Sequence, residues 1–357
     1  MQAFPCLARL AGRACTRRDN TQVLDVLQVT FPFFALVLCG YLAARARWLP
    51  LEAIGGLNAF VLYFALPCML FRFGAATPVA RLFDPAVAAV WLPCGLLMVA
   101  GAIRFGRGSG LGWNDAAFCA LVTAFPNSGF MGVPLLVALL GADAAGPVIA
   151  TMLIDMVIIT SVCIALSRLD APASRTGAAQ GAAAGDAWAA ARRALRGMAL
   201  NPMPWSILLG GIASWLQLEP VRPLAVGIGL LADAASPVAL FTIGAVLARA
   251  GMLGAPDRTS GVSAPAPWRG VTGLSLAKLL LHPLLVLAAA QTARALGLAL
   301  SPPALTVVVL TAALPSASNV SLLAERFGAD TGRVARIILL TTAAAFLTFS
   351  GAVAWMA

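Results

Sequence analysis

The sequence predicts an all-helical integral membrane protein of about ten transmembrane helices, arranged as two inverted five-helix repeats. Of its 357 residues, 61% are hydrophobic and only 11% are charged, and the mean hydropathy is +0.91. A soluble globular protein carries roughly 25% charged residues. Two further observations refine this class: the apolar residues fall into ten segments, and motifs of the first half return in the second half.

Each apolar segment is close to the roughly 20 residues that a helix needs to cross a bilayer core. The ten predicted spans are 23–44, 54–73, 86–104, 114–140, 146–167, 201–218, 223–248, 271–293, 303–326 and 334–356. The loops after odd-numbered spans hold 15 arginines, whereas the loops after even-numbered spans hold four. Because arginine-rich loops stay in the cytoplasm, both termini are predicted to lie outside. The four arginines of the tail at 1–22 do not follow this asymmetry; a mis-started gene or an unusual leader would explain them.

Several classes of function are not expected. The net charge of +10 comes from loop arginines, and no basic run is interleaved with exposed aromatic residues, so nucleic acid is not a predicted partner. The seven cysteines show no CxxC spacing, which gives no indication of a zinc site or a disulfide framework. The sequence contains no GxSxG, GxGD or Walker motif, so it predicts neither an enzyme nor a catalytic residue, and no cofactor.

The long cytoplasmic loop at 168–200 is either a short interfacial helix or a linker.

The internal repeat is clearest in one motif. Residues 65–75 read ALPCMLFRFGA and residues 235–245 read ASPVALFTIGA, which agree at six of eleven positions with an offset of 170. The same offset relates Gly40 to Gly210. Since each copy has five spans, an odd number, the second copy enters the membrane from the opposite face. We therefore divide the chain into repeat 1 at 23–167 and repeat 2 at 201–357.

The later spans repeat with a larger offset because the loop between spans 7 and 8 is longer. An offset of 190 relates Pro93 to Pro283. An offset of 189, up to a slip of one residue, relates Pro126 in span 4 to Pro315 in span 9. An inverted repeat is typical of transporters, because exchanging the conformations of the two halves changes which side of the membrane is open.

Spans 4 and 9 are both interrupted near their middle by residues that end helices. Irregular backbone survives at membrane depth only where protein or a water-filled cavity covers it. We expect the two breaks to cross, with Asn127 and Ser128 capping the half-helix that follows and with helix N-termini directed at an anion such as a carboxylate. The alternative is a pair of simple proline kinks. The predicted substrate-binding residues are Pro126, Asn127, Ser128, Gly129, Pro315, Ser316, Ser318 and Asn319.

Four stretches together resemble the auxin efflux carrier family: PNSGFMGVPLL at 126–136, ASPVALFTIGA at 235–245, KLLLHPLL at 278–285 and ALPSASNVSLLAERFG at 313–328. The resemblance covers about residues 23–356. It implies a fold similar to the bile acid:sodium symporters and the NhaA-type antiporters, with broken helices 4 and 9 crossing. It also implies a scaffold of spans 1, 2, 6 and 7, a core of the other spans, organic acids as substrates, and a homodimer through the scaffold.

Four polar residues inside predicted spans are candidates for ion coupling, because charge at that depth is costly and marks function. They are Asp155, Asp233, Lys278 and His282. Lys278 and His282 share one face of span 8, where Lys278 could neutralise an anion, pair with Asp155 or extend to the surface. For Asp155, Asp233 and His282, a purely structural role is the alternative.

Together these features predict a carrier for small organic anions, auxin-like or malonate-like, that works by alternating access in the inner membrane of a bacterium. Energy coupling stays open between proton symport through Asp155, sodium symport at the crossing, and uniport driven by the membrane potential. The alternative functions are a sodium-coupled importer of the bile acid symporter type, and a channel or sensor.

Overall fold

The structure is a computed structural model that describes residues 20–77, 84–169, 202–218, 220–253 and 268–356. Within these ranges the chain is helical and contains no β-strand, so the predicted all-helical class is confirmed. The N-terminal tail to residue 19 and the interfacial helix predicted in the loop at 168–200 lie outside the described residues.

Among the residues that the structure describes, six helices come from the first half of the chain and six from the second. The first six are α1 (Asn20–Arg45), α2 (Ala53–Ala76), α3 (Pro85–Gly108), α4 (Trp113–Ala124), α5 (Ser128–Leu140) and α6 (Ala142–Ser167). The second six are α7 (Pro202–Trp215), α8 (Arg222–Leu253), α9 (268–295), α10 (Pro302–Ala313), α11 (Val320–Arg326) and α12 (Thr331–Met356).

By length and hydropathy, six of these helices could cross a membrane: α2, α3, α6, α8, α9 and α12. Shorter apolar segments lie in α1, α5, α7 and α10. The predicted spans 4 and 9 each correspond to two helices, α4 with α5 and α10 with α11, separated by a few extended residues. The protein is therefore a multi-pass membrane protein.

Four helices contain a widened π-helical turn. In three of them this turn ends two residues before a proline, at Pro67, Pro134 and Pro283. Proline has no N–H and its ring crowds the preceding turn, and the extra residue in a π-turn relieves both problems without ending the helix. The four turns are Val61–Ala65, Ser128–Gly132, Asp155–Ile159 and Ala277–Leu281.

The helices pack in two sets. In the first set, α1 lies along α8, α7 lies along α2, and α8 also contacts α2. In the second set, α3 packs on α4 and α9, α4 on α6, and α10 on α9 and α12. The sets touch where α1 meets α12 and where α8 meets the first turn of α5.

Two glycines hold α1 and α8 in direct backbone contact. A Cβ atom on Gly40 would overlap the carbonyl oxygen of Phe241, and a Cβ atom on Gly244 would overlap the carbonyl oxygen of Val37. Small residues let membrane helices approach this closely, and dispersion contacts between the two backbones then stabilise the pair.

The contact between α2 and α7 is built in the same way. A Cβ atom on Gly210 would overlap the carbonyl oxygen of Phe71, and one on Gly74 would lie 3.0 Å from a carbonyl oxygen of α7. Gly40 is related to Gly210, and Gly74 to Gly244, by the offset of 170 that relates the sequence motifs. The two closest helix contacts therefore use equivalent positions of the two halves.

Candidate functional site

The two predicted breaks meet in the middle of the second helix set. The backbone N–H of Asn127 donates to the carbonyl of Pro315 at 2.8 Å, and the N–H of Ala317 donates to the carbonyl of Phe125 at 3.0 Å. These bonds form an isolated antiparallel β-bridge between Pro126 and Ser316. Two extended segments thus satisfy each other's backbone groups where water would otherwise be needed.

Local backbone geometry explains why the helices stop here. Helix α4 ends at Phe125, which has extended torsion angles, φ −87° and ψ 108°. Helix α10 ends in the same way at Leu314, with φ −62° and ψ 153°. Each of these residues precedes a proline, which disfavours helical geometry in the residue before it.

The crossing is offset by one residue from the match of Pro126 with Pro315. The residue opposite Pro126 in the β-bridge is Ser316, which is 190 positions later. The same offset relates Pro93 to Pro283. The β-bridge therefore pairs the two breaks at an offset of 190, which is one residue more than the offset of 189 between the two prolines.

The predicted capping role of the break residues is wrong. Asn127 and Asn319 occupy the positions before α5 and α11, yet neither side chain makes a capping hydrogen bond. Ser128 is buried and its hydroxyl donates to the Pro126 carbonyl at 3.3 Å. Asn127 and Asn319 instead line a pocket beside the crossing, together with Gly129. We call it the crossing pocket.

The rest of this crossing pocket is mainly apolar. Its walls include two methionines of α6, Met152 and Met156, and one phenylalanine on each side of the Pro126 break, Phe125 and Phe130. No lysine, arginine or histidine side chain is among the residues that line it. The polar side chains among its lining residues are neutral amides, which suits an anion bound by hydrogen bonds rather than by an ion pair.

A second pocket shares one lining residue, Phe130, with the crossing pocket. Its polar lining comes from Ser318 and Ser321, next to the second break, and from Asn58 and Thr242 of the first helix set. Sequence reasoning did not select Asn58 or Thr242, because a single polar residue in an apolar span carries no pattern. Their contribution depends on how the two helix sets pack.

Ser316 has a different role from the one predicted. Its side chain is buried, its backbone N–H donates to the Thr341 hydroxyl of α12 at 3.2 Å, and it does not line the crossing pocket. Pro315 contributes its carbonyl to the β-bridge. The predicted residues that reach the crossing pocket are thus Pro126, Asn127, Gly129 and Asn319.

The structure brings three of the four ion-coupling candidates together, in a cluster that does not line the crossing pocket. Asp155, Lys278 and His282 are each at most 1% exposed. Lys278 therefore does not extend to the surface. Its Nζ atom lies 2.9 Å from His282 Nδ1 and donates to the Ala312 carbonyl at 3.2 Å. Trp91, which sequence reasoning missed, donates its indole N–H to Asp155 Oδ1 at 2.9 Å.

Asp233 lies apart from that cluster. Its carboxylate forms a 2.6 Å ion pair with Arg72, and its side chain is 71% exposed on the isolated chain. The pair joins α8 to α2, both of the first helix set. Among the residues that the structure describes, no group of three or more His, Cys, Asp or Glu side chains could hold a metal ion.

Comparisons with known proteins agree with this architecture. A family model described as "Membrane transport protein" matches residues 25–353. The chain is 32% identical over 330 residues to a protein of Rhizobium meliloti (strain 1021) named "Putative malonate transporter", covering 92% of this chain and 94% of that protein. It is also 26% identical over 157 residues to "Auxin efflux carrier component 8" of Arabidopsis thaliana, covering 42% of each. The resemblance seen in the sequence motifs is thereby confirmed, and the chain belongs to the membrane transport protein family of auxin efflux carriers.

Proposed function

We propose that this transporter carries small organic anions across the inner membrane of a bacterium by alternating access, with the crossing pocket as its substrate site. The observation that carries this proposal is that Asn127 and Asn319, one from each break, line a single pocket. Neither amide is used in a helix cap. Both are therefore available to donate hydrogen bonds to a carboxylate.

The chemistry of the walls narrows the substrate class. An ionised carboxylate needs several hydrogen-bond donors once it has left water. Two amide side chains and the N-terminal end of α5 supply donors and a favourable dipole. The methionine and phenylalanine walls suit a short hydrocarbon part. A mono- or dicarboxylate of few carbons, or an indole acid, fits both requirements, and the names of the two relatives point to the same class.

The arrangement of the two helix sets supports alternating access. The glycine contacts of α1 with α8 and of α2 with α7 are related by one offset, which supports two inverted repeats. The crossing belongs to the second helix set, and the pocket is completed by Leu66 of the first. Movement of one set against the other would therefore open and close the pocket. The orientation with both termini outside, and a homodimer through the first set, remain predictions.

The test is uptake into proteoliposomes of radiolabelled malonate, other mono- and dicarboxylates, and an indole acid. Wild type is compared with Asn127→Ala and Asn319→Ala, with Thr306→Ala as a matched control on the lipid-accessible part of α10. We expect saturable uptake of at least one anion, loss of uptake in both asparagine variants, and unchanged uptake in the control.

Two results would contradict the proposal. If no carboxylate crosses the membrane with wild-type protein, including in exchange against internal anion, the substrate class is wrong. If an anion crosses equally well in both asparagine variants, the crossing is a structural joint and the substrate site lies elsewhere. Uptake that follows a sodium gradient alone would favour the alternative, a sodium-coupled importer.

A further inference from the structure

Four polar side chains are enclosed where α3, α6 and α9 meet. Trp91, Asp155, Lys278 and His282, here called the Asp155 cluster, are each at most 1% exposed. The surrounding side chains form an apolar core contributed by α3, α6, α9 and α10. Fully buried aspartate and lysine side chains are rare, and inside a membrane protein they mark pathways for ions or protons.

Two polar atoms of this cluster have no hydrogen-bond partner. Asp155 Oδ1 accepts the bond from Trp91, but Asp155 Oδ2 is buried and unpartnered. His282 Nδ1 lies beside Lys278, but His282 Nε2 is likewise buried and unpartnered. The Trp91 and His282 rings are in contact, with centroids 5.4 Å apart. Since buried polar atoms are almost always satisfied, these two open positions require an explanation.

The charges of the cluster explain why Asp155 Oδ2 has no hydrogen-bond partner. Asp155 and Lys278 are enclosed in the same cluster, yet within the described part of the chain no ion pair joins them directly. With both ionised, the cluster has no net charge. A proton bound at Asp155 Oδ2 would leave the lysine cation uncompensated. An anion bound nearby in the crossing pocket would then restore neutrality, which favours binding of the two together.

The cluster is joined to the crossing pocket through two helices. On α6, Asp155 lies between Met152 and Met156, which line the pocket. On α10, the carbonyl that accepts the Lys278 bond belongs to Ala312, three residues before Pro315. A rearrangement of the break would therefore move the acceptor of the lysine bond, and a movement of Asp155 would displace neighbouring residues of the pocket wall.

We propose that the Asp155 cluster binds the proton that is transported together with the organic anion. The inference rests on the proposed function. In each cycle one proton forms an O–H bond at Asp155 Oδ2 as the anion enters the crossing pocket. After the conformational change the proton leaves to water on the other side, and the carboxylate and lysine are again both charged. Proton and anion move in the same direction.

Other titratable groups near the cluster are few. Helix α10 contains none, and α3 contributes the Cys94 thiol, which donates to the carbonyl of Leu285. On α9 the remaining ionisable side chains, Arg269 and Arg294, lie more than two turns from Lys278 and His282, and on α6 Asp143 and Cys163 lie at least two turns from Asp155. Helices α4 and α12 also pack on the turn that holds Lys278, and their ionisable groups are Asp115, Cys119, Arg333 and Arg336. Asp155, Lys278 and His282 are therefore the ionisable groups enclosed in the cluster.

The test measures proton and anion movement in the same proteoliposomes, using an internal pH-sensitive dye and the radiolabelled anion that wild type carries. Two modes are compared: uptake driven by an inward proton gradient, and exchange of external for internal anion without any gradient. The variants are Asp155→Asn, the double variant Asp155→Asn/Lys278→Met, and Asp233→Asn as the matched control. The double variant is included because Asp155→Asn alone leaves a buried lysine cation without its counterion.

We expect wild type and Asp233→Asn to take up protons with the anion. In the double variant, proton uptake and gradient-driven accumulation should be lost while anion exchange is retained. That exchange shows that the variant is folded and that its crossing pocket binds substrate. Proton uptake that persists in the double variant would overturn the assignment, and so would wild-type uptake that follows sodium or membrane potential without protons. If wild type moves no anion even in exchange, the proposed function fails, and this inference fails with it.

Discussion

Asn127 donates its backbone N–H to the carbonyl of Pro315 at 2.8 Å, so a hydrogen bond joins two residues 188 positions apart where the broken helices cross. The bond uses a donor left free by one broken helix to satisfy an acceptor left free by the other. The backbone of Asn127 is held in this way, its side chain makes no capping bond, and the residue lines the crossing pocket. The β-bridge at the crossing thus stabilises the fold and also positions residues of the candidate site.

Replacing Gly244 with alanine should destabilise the protein strongly. The added methyl group would overlap the carbonyl of Val37, so α1 and α8 would have to move apart. Overpacking of this kind costs about 1–3 kcal/mol or more. The measurement is the temperature at which detergent-solubilised protein loses its monodisperse peak. Gly101→Ala is the matched control, because a Cβ atom there meets nothing within 4 Å and alanine favours helix by about 1 kcal/mol. Equal melting temperatures for the two variants would contradict the close contact.

Asp233→Asn should retain proton-driven transport. Asp233 is an exposed partner of Arg72 in the first helix set, and it does not touch the buried cluster. The pair joins α8 to α2, so loss of the carboxylate should affect the contact of these two helices and leave the proton site intact. The initial rate of gradient-driven uptake, normalised to the amount of reconstituted protein, is the quantity to compare. If Asp233→Asn loses proton coupling while anion exchange stays normal, Asp233 would be the proton carrier.

Much of this architecture could be predicted from the sequence because its signals are local. Proline and asparagine inside an apolar span identify each break, and the motif around Gly74 returns around Gly244. What could not be predicted depends on distant packing. The indole of Trp91 reads as an apolar core residue until the fold places its N–H beside Asp155. Asparagine is a common residue before a helix, but at the crossing the side chain of Asn127 makes no capping hydrogen bond.

Replacing Trp91 with phenylalanine should shift the pH dependence of transport without abolishing exchange. The indole N–H stabilises the ionised carboxylate of Asp155, and phenylalanine keeps an aromatic side chain of smaller volume but removes this donor. Protonation of Asp155 then becomes easier, so the pH at which proton-driven uptake is half-maximal should move upward. Initial rates between pH 5 and pH 9 measure the shift, with the exposed Trp355→Phe as control. A profile that is unchanged, or moved to lower pH, would exclude Trp91 as a positioning residue for the proton site.

Two threonines are related to each other by the offset of 190, Thr151 of α6 and Thr341 of α12. Both are fully buried, and both donate their hydroxyl within their own helix. Only Thr341 also accepts a bond from the crossing, the backbone N–H of Ser316. The residue equivalent to Ser316 is Pro126, which has no N–H to donate.

Thr341→Val should therefore destabilise the protein more than Thr151→Val. Valine keeps the shape at either site, but at Thr341 it leaves the buried N–H of Ser316 without an acceptor, which costs about 1–3 kcal/mol. The two variants are compared by thermal unfolding in detergent and by exchange of labelled anion, since an unsupported break should also weaken substrate binding. Equal losses at the two sites would mean that the bond from Ser316 adds nothing to the crossing. A larger loss at Thr151 would mean that α6, and not α12, supports the crossing.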